Sequence, residues 1–320
     1  MDENKVLLSV IVPVYNHERY IRKALDSIYM QKTNFKFEVL VGEDCSTDHS
    51  KEIIMEFEEQ HPGFLKVFYR DFNLNKSKAK YKNAADLKMK SVGKYIITLE
   101  GDDYWTDEYK LQKQVDFLEN NEDYIAVAHN CVVIDRDGNP SNDSYPECKD
   151  EEYSLKHFVS GIMPGQLATV MMRNFIVDKR IESSLLFKGF SPGDRLIYFT
   201  LITQGKIRCF QELMSAYRFV TSNSSSFSSN FKYNFDYFVR YYDEMYKYAQ
   251  KIGNKEAMDY VSLMELRNIF RGIKSDNISF KDILTNHHRI PNKRAAYKLL
   301  CKQFYNIAIK HKKYSKDVIV

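Results

Sequence analysis

Cysteine is scarce in this sequence, and the pattern of a disulfide-stabilised or cysteine-bound metal protein is missing. The chain has five cysteines, an odd number, with no C-x-x-C pair and no metal-binding spacing. Small secreted domains and zinc sites have denser, regularly spaced cysteines. We therefore expect reduced thiols in a cytosolic protein at Cys45, Cys131, Cys148, Cys209 and Cys301.

Long apolar runs are absent as well. No run approaches the roughly 20 residues that a membrane-spanning helix needs. Residues Met1–Lys5 are polar, and the apolar run Val6–Val14 is too short and too β-branched for the core of a signal peptide. We therefore expect a cytoplasmic location.

The sequence also lacks a strong charge bias. Lys and Arg number 47 against 43 Asp and Glu, a net charge of +4. Domains that bind nucleic acid are usually much more basic, so we expect no nucleic acid partner. The 320 residues, 44% of them hydrophobic, are enough for a large core plus a smaller appendage.

Apolar segments rich in valine and isoleucine alternate with amphipathic segments over the first part of the chain. This alternation is typical of an α/β fold with a parallel, doubly wound sheet, whose ligands bind beyond the carboxyl ends of the strands. Strands are predicted over Val6–Val14, Phe37–Val41, Leu65–Tyr69, Tyr95–Leu99 and Tyr124–Ile134, with helices over Lys76–Val92 and Asp107–Asn121.

The later part of the chain is less regular. Residues 135–164 have the composition of a loop, and helices fill most of the chain after residue 230. The remaining predicted elements are a strand over Ala168–Arg173, a helix over Arg195–Thr203, an extended segment over Lys206–Phe219, and helices over Phe231–Lys251 and Glu256–Arg271.

Three polar clusters follow predicted strands: Pro13-Val14-Tyr15-Asn16, Glu43-Asp44 and Glu100-Gly101-Asp102-Asp103. Neighbouring carboxylates repel one another and lose hydration, and a divalent cation with oxygen ligands would offset that cost. No glycine-rich phosphate loop follows the first strand, so a metal on the aspartate pair is the natural alternative for holding phosphates. A solvated turn with an aspartate helix cap would also explain the third cluster.

Four motifs make the chain resemble nucleotide-sugar glycosyltransferases of family 2, which have the GT-A fold. They are Ser9–Asn16, Glu43–Asp48, Gly93–Asp103 and the pair Gly193-Asp194. The resemblance implies a Rossmann-like, mostly parallel sheet flanked by helices. We expect this catalytic domain over residues 1–225, with a nucleotide-binding half to about residue 105 and an acceptor half after it. A helical, basic extension would follow over residues 226–320, which the resemblance does not cover.

The resemblance implies a donor site after the first two strands. Pro13, Tyr15 and Asn16 would bind the nucleotide-sugar, and Asp44 would accept a hydrogen bond from the base edge. As a turn residue, Asp44 would need no ligand. The family often has Arg-Asn where this chain has Ala84-Ala85. Lys80, Lys82 and Asn83, about a turn earlier, are the candidate substitutes, and Lys80 is the one that we expect to bind the nucleotide-sugar.

The resemblance also implies a metal site and a catalytic base. Asp102 would face the ribose or the metal, and Asp103 would ligate Mn²⁺ or Mg²⁺ in a DXD-like motif whose first acid is Glu100. Asp194 would be the general base, although an aspartate before a helix is equally typical of an N-cap.

Four further residues near these motifs are open to two interpretations. His17 either contacts the donor or is a surface histidine, and Gln166 is a weak candidate on the acceptor side. Tyr104 and Trp105 either form a platform for a sugar or pack beneath the metal loop.

The implied reaction is displacement of a nucleoside diphosphate from a sugar by an acceptor hydroxyl, with inversion at the anomeric carbon. We expect a UDP-sugar donor, a glycan or lipid-linked acceptor and a role in bacterial surface polysaccharide synthesis. The alternatives are a catalytically weak sugar-nucleotide-binding partner in a glycan assembly complex and a nucleotidyltransferase.

The basic region Lys281–Val320 also has two interpretations. Its apolar residues recur at helical spacing among lysines and arginines, as in Ala295, Leu299 and Phe304. Such a helix either lies on an anionic membrane surface, at the inner face of the plasma membrane, or docks on the protein with a solvated basic face.

Overall fold

A mixed sheet forms the core of the first part of the chain. The computed structural model describes residues 5–78, 82–190, 193–220, 233–274 and 279–302. Within these residues the sheet has nine strands: β1 (Leu8–Val14), β2 (Phe37–Glu43), β3 (Leu65–Tyr69), β4 (Tyr95–Thr98), β5 (Tyr104–Trp105), β6 (Tyr124–Ile134), β7 (Glu152–Tyr153), β8 (Met171–Arg173) and β9 (Lys206–Arg218).

The strand order is β3-β2-β1-β4-β8-β6-β9-β5, with β7 also paired to β9. The ladders β3-β2, β2-β1, β1-β4 and β6-β9 are parallel. The short strands β5, β7 and β8 pair antiparallel with their neighbours. The predicted α/β class and mostly parallel sheet are therefore confirmed, with antiparallel strands that the alternation did not predict.

Helices cover the sheet. Those of the first part are α1 (Ile21–Tyr29), α2 (Ser50–Gln60), α3 (Asn83–Met89), α4 (Lys110–Asn120), α5 (Leu155–Val159) and α6 (Gly193–Ile202), with 3₁₀ turns at Leu167–Thr169 and Ser184–Phe187. The apolar stripe Ile21, Leu25 and Ile28 of α1 packs on the buried side chains of β1 in one core cluster. This period of three to four residues is what a helix needs to bury one face on a sheet.

The carboxyl end of β1 ties the polar clusters together. Val14 accepts a hydrogen bond from the Asp44 N–H at 2.9 Å, and Pro13 accepts one from the Gly101 N–H at 3.3 Å. Pro13 pairs with Gly42 within the ladder, and β1 continues to Val14, where the predicted strand ends. The parallel strands thus bring three distant segments to one edge of the sheet.

Two predicted elements differ in extent from the observed ones. The predicted helix Lys76–Val92 is limited to Asn83–Met89, because residues 73–77 form turns held by side-chain hydrogen bonds. The predicted strand Ala168–Arg173 is a 3₁₀ turn followed by the short strand β8. The turn forms because the Gln166 side chain accepts a hydrogen bond from the Ala168 N–H.

The chain divides into two compact units, residues 1–230 and 231–320. The second unit is helical, as predicted, with α7 (Phe235–Lys251), α8 (Lys255–Lys274), α9 (Phe280–Arg289) and a further helix over residues 293–302. Ala296 is buried in the core cluster of this unit and Leu300 packs against it, so this part of the basic region docks on protein. Residues 303–320, including Phe304, lie outside the described residues. None of the described helices combines the length and apolarity needed to cross a bilayer.

Candidate active site

A cavity of about 640 Å³ opens at the sheet edge where β1 and β4 end. Its walls include Pro13 and Tyr15 from the first predicted cluster, Asp102 from the third, and Asp194 at the start of α6. The fold therefore brings together residues nearly two hundred positions apart in the sequence. Four of the eight predicted site residues line one space large enough for a drug-sized ligand.

The turn after β4 depends on a glycine. A Cβ at Gly101 would lie 2.6 Å from the His17 Nδ1 atom, so any other residue here would require the His17 side chain to move. The Asp103 N–H donates to the Glu100 carbonyl at 3.0 Å, which closes the turn. Because the chain reverses so tightly, three carboxylates meet at one point.

The acidic cluster Glu100, Asp102 and Asp103 fits a divalent cation. One carboxylate oxygen from each residue lies within 4.8 Å of the other two. Hard cations such as Mg²⁺ take oxygen ligands of this kind. The donor set therefore suits the predicted Mn²⁺ or Mg²⁺.

Electrostatics in this cluster favour an added positive charge. Glu100 is exposed as a residue, but the protein around its carboxylate reduces the hydration of that group and raises its pKa to about 7, and the neighbouring Asp102 and Asp194 carboxylates add to the shift. Burial also holds the pKa of Asp103 well above its usual range, with further contributions from Asp102 and Glu100. Bringing a cation to the site would relieve this repulsion and restore ionised carboxylates.

Asp103 is the most enclosed of the three acids. Its side chain is 2% exposed. Its Oδ2 accepts from the Gln166 amide at 2.9 Å, and its Oδ1 accepts from the Arg218 N–H at 2.7 Å. Each carboxylate oxygen has a second lone pair, so these bonds leave capacity for a cation. Asp103 thus joins the acidic turn to β9 and to the 3₁₀ turn.

Arg218 is a site residue that the sequence did not reveal. Besides its N–H bond to Asp103, its guanidinium donates to the backbone carbonyls of Asp102, Asp135 and Arg136 at 3.0, 2.7 and 2.9 Å. It lines the cavity at the end of β9. A lone arginine in an extended segment carries no pattern that would have identified it.

Asp44 is fully buried, and it is not among the described residues that line the cavity. Its two carboxylate oxygens accept the backbone N–H groups of Leu74 and Asn75 at 2.6 and 3.2 Å. Its own carbonyl accepts from the Asn73 side chain at 3.0 Å. Asp44 therefore holds the loop after β3.

This loop supplies cavity residues that the sequence did not predict, namely Asn73, Asn75 and Lys76. The Lys76 ammonium donates to the Tyr15 hydroxyl at 2.7 Å and lies 4.7 Å from the centre of its ring. Through Asp44, the second predicted cluster thus positions the loop that meets the first. The composition of residues 76–92 is typical of a basic helix, so the prediction of a helix over Lys76–Val92 did not identify this loop.

The remaining donor-site candidates have other positions. Asn16 is exposed, has a positive φ of 57°, and is not among the described lining residues. Its side-chain oxygen accepts the Thr47 N–H at 2.8 Å, which joins the first two clusters. Lys80 lies outside the described residues. Of the segment that carries the Ala84-Ala85 departure, Ala84 and two polar neighbours, Asn83 and Lys88, line the cavity.

Asp194 lies in the first turn of α6, one residue inside its observed start. The carboxylate lines the cavity, and its Oδ1 accepts the Arg195 N–H at 2.7 Å. Burial raises its pKa, opposed by this hydrogen bond and by the Arg195 charge. An acid at this position is stabilised by the helix dipole.

The four residues with two interpretations have different surroundings in the structure. His17 and Gln166 line the cavity. Trp105 is 1% exposed, donates its indole N–H to the Ala168 carbonyl at 3.0 Å, and packs under the Lys110 ammonium. Tyr104 pairs with Ala216 in β5-β9. The packing interpretation therefore holds for Trp105, while two other aromatic residues, Tyr145 and Tyr217, line the cavity.

Comparisons with known proteins agree with these features. The profile of glycosyl transferase family 2 matches residues 9–181. An uncharacterized protein of Mycobacterium tuberculosis, Rv1520, is 30% identical over 217 residues, which are 66% of this chain and 58% of that protein. The chain thus spans less than two thirds of the length of this relative.

A named relative and a solved structure are also similar. The putative teichuronic acid biosynthesis glycosyltransferase TuaG of Bacillus subtilis is 26% identical over 196 residues, 58% of this chain and 75% of TuaG. The crystal structure of S. aureus TarS 1–349 in complex with UDP-GlcNAc gives a TM-score of 0.61 at 19% identity, covering 90% of this chain and 81% of that one. The predicted GT-A fold is thereby confirmed. Because the family profile spans more than half of the chain, this protein belongs to glycosyl transferase family 2.

Proposed function

We propose that this protein is a metal-dependent, inverting glycosyltransferase that moves a sugar from a UDP-sugar to a hydroxyl group. The observation that carries the proposal is the single cavity in which Tyr15, the acid Asp102 and the acid Asp194 meet. Such a transfer needs a nucleotide-binding site, a metal-binding site and a general base.

The nucleotide would bind between the turn after β1 and the loop after β3. Pro13 and Tyr15 offer flat surfaces for a base, while Asn73 and Asn75 offer amide groups for hydrogen bonds. In this proposal Asp44 and Asn16 act mainly by holding the two loops in place. Lys80 remains the expected basic contact of this segment.

Asp102 and Asp103 are the proposed ligands of Mn²⁺ or Mg²⁺, and Glu100 completes the set. A divalent cation there would stabilise the negative charge that grows on the departing diphosphate. The chain's own contribution is geometric: Gly101 allows the turn, and Gln166 and Arg218 fix the orientation of Asp103.

Asp194 is the proposed general base. It would take the proton of the acceptor hydroxyl as that oxygen attacks the anomeric carbon, and one displacement inverts that carbon. The Arg195 N–H holds one of its oxygens at 2.7 Å, which orients the carboxylate. A raised pKa brings a carboxylate nearer to the value that suits proton abstraction near neutral pH.

The proposed acceptor is a glycan or a lipid-linked glycan of a bacterial surface polysaccharide. The name of TuaG refers to teichuronic acid biosynthesis, and TarS was crystallised with UDP-GlcNAc, which supports a UDP-hexose or UDP-N-acetylhexosamine donor. The apolar side of the basic region packs within the second unit, but Lys281, Arg294 and Lys298 are exposed, which supports a peripheral contact with the anionic inner face of the plasma membrane, where lipid-linked acceptors would be reached.

A thermal-shift screen with Mn²⁺ tests this proposal. UDP-, GDP-, CMP- and dTDP-sugars are added one at a time, and the expected result is a raised Tm for UDP-sugars only, since ligands that bind the folded state stabilise it. The shift should disappear with EDTA. No shift with any sugar nucleotide, together with no sugar-nucleotide hydrolysis, would contradict the proposal. Shifts with another nucleotide would contradict only the UDP assignment.

A further inference from the structure

Lys88 lies in the wall of the donor cavity and is a buried lysine. It is 8% exposed and belongs to the buried face of the short helix α3. Lysine is rarely buried to this degree unless its charge is paired. A buried ammonium at a ligand cavity therefore calls for an explanation.

Within the described part of the chain, the Lys88 ammonium has neither a hydrogen-bond acceptor nor an ion-pair partner. Among the described residues, the charged group that acts on it is Glu100, which also faces the cavity, and the interaction is through space. Burial lowers the pKa of Lys88 to about 8, against the opposing effect of Glu100. No described group thus pairs directly with the charge of this lysine.

The other two basic side chains that line the described cavity are both engaged. The Lys76 ammonium bonds to the Tyr15 hydroxyl at 2.7 Å. The Arg218 guanidinium donates to three backbone carbonyls, including that of Asp102 at 3.0 Å. Lys88 alone among these three offers all of its N–H donors to a ligand.

The fold holds Lys88 in a fixed position. The Asn83 amide, at the start of α3, donates to the Gly42 carbonyl at 2.7 Å, and Leu87 is fully buried. A Cβ on Gly42 would lie 2.2 Å from the Asn83 side-chain oxygen, so the missing side chain lets α3 approach β2. An anchored helix loses little entropy when its lysine binds a ligand.

We propose that the Lys88 ammonium binds an anionic oxygen of the sugar-nucleotide donor, an inference that rests on the proposed function. The cavity contains the carboxylates Glu100, Asp102 and Asp194, which would otherwise repel an anionic donor. A charged donor group placed against Lys88 would receive charge-assisted hydrogen bonds from an almost completely buried residue. Two sources share this chemistry: the diphosphate, and a carboxylate on the transferred sugar.

Isothermal titration with Mn²⁺ distinguishes the two sources. The probes are pyrophosphate, UDP, UDP-glucose and UDP-glucuronate, measured on the full chain and on Lys88→Met and Lys88→Arg. Loss of one charge-assisted contact should weaken binding about 10- to 100-fold. Methionine keeps the length of the side chain and removes a buried charge, so the metal-free variant should be at least as stable as the parent.

Equal weakening of all four probes by Lys88→Met, with partial recovery in Lys88→Arg, assigns Lys88 to the diphosphate. Weakening of UDP-glucuronate alone assigns it to an acidic sugar. The matched control is Lys90→Met, which removes the ammonium of the residue that caps the C-terminus of α3 and is paired with Asp86. It should bind all probes as the parent does.

Two outcomes would overturn the inference, and they differ from each other. If the parent protein binds the uridine probes and Lys88→Met binds them equally well, Lys88 is not a donor contact and the proposed function is unaffected. If the parent protein binds no probe, pyrophosphate included, both the inference and the proposed donor site are wrong.

Discussion

Two groups of acidic residues in this site differ in whether hydrogen bonds from the protein compensate their charge. Asp44 and Asp103 are almost completely buried, and each accepts two N–H hydrogen bonds from segments distant in the sequence. Glu100, Asp102 and Asp194 face the cavity instead. The first group joins the segments that form the site, and the second group leaves its charge available to a ligand.

The difference shows that adjacent acidic residues of one motif can have different structural roles. Asp102 and Asp103 are adjacent, yet one opens to the cavity while the other is 2% exposed. A buried carboxylate is retained only when hydrogen bonds replace its lost hydration, so Asp103 must keep its two donors. An acid in the cavity has no such requirement, and a cation or a substrate proton can use it.

Asp194→Asn should give the largest effect, a loss of up to about 10⁴-fold in sugar-nucleotide turnover, since a positioned general base contributes about that much at most. Asparagine retains the side-chain oxygen that accepts the Arg195 N–H, so α6 should keep its first turn. UDP release from a UDP-sugar measures turnover, and thermal unfolding monitors the fold. If Asp194→Asn retains turnover and Asp194→Ala loses only stability, Asp194 serves the helix and not the reaction.

Asp102→Asn should lower turnover by about 10³-fold, because a metal supplies several kcal/mol of charge stabilisation and each 1.36 kcal/mol is a factor of ten. Stability of the metal-free protein should be unchanged or higher, since the substitution removes a like charge beside Glu100. Mn²⁺ titration and unfolding of the metal-free variant check the two parts. A marked loss of metal-free stability would place Asp102 in the buried group.

Much of this site could be predicted from the sequence, and the reasons are local. The apolar runs define β1, β2 and β4, and parallel strands bring their carboxyl ends together, so Tyr15 and Asp102 could be expected in one place. The position of Asp194 followed from the family resemblance, because no local pattern links α6 to the sheet edge.

Other parts could not be predicted, because long-range contacts decide them. Lys76 and Arg218 reach the cavity only through loop and strand positions that no periodicity defines. The antiparallel strand β8 is three residues long and follows a 3₁₀ turn, too short for a pattern of its own. Whether an aspartate joins loops or faces a ligand likewise depends on donors elsewhere in the chain, as Asp44 illustrates.

Asp103→Asn should affect both stability and metal binding. The amide would direct an NH₂ group at either the Gln166 amide or the Arg218 N–H, and Gln166 cannot rotate without losing its bond to the Ala168 N–H. We expect a loss of about 1–3 kcal/mol in unfolding free energy. Mn²⁺ affinity or turnover should fall about 10- to 100-fold. Denaturant unfolding without metal and Mn²⁺ titration measure the two effects. Loss of metal affinity with full stability would show that Asp103 acts only as a metal ligand and that its bonds to Gln166 and Arg218 do not stabilise the fold.

Asp44→Asn should have the smallest effect on turnover, less than about tenfold, because its carboxylate reaches the donor only through the loop that it holds. The asparagine can accept one of the two backbone N–H groups of Leu74 and Asn75, and the other is left facing an NH₂ group. The unfolding free energy should therefore drop by about 1–3 kcal/mol. Asp71→Asn, an exposed acid at the start of the same loop, is the matched control and should change neither quantity. A large loss of UDP affinity with unchanged stability would show instead that Asp44 contacts the base directly. Asp44 would then belong with the acids that face a ligand, and burial would not separate the two groups.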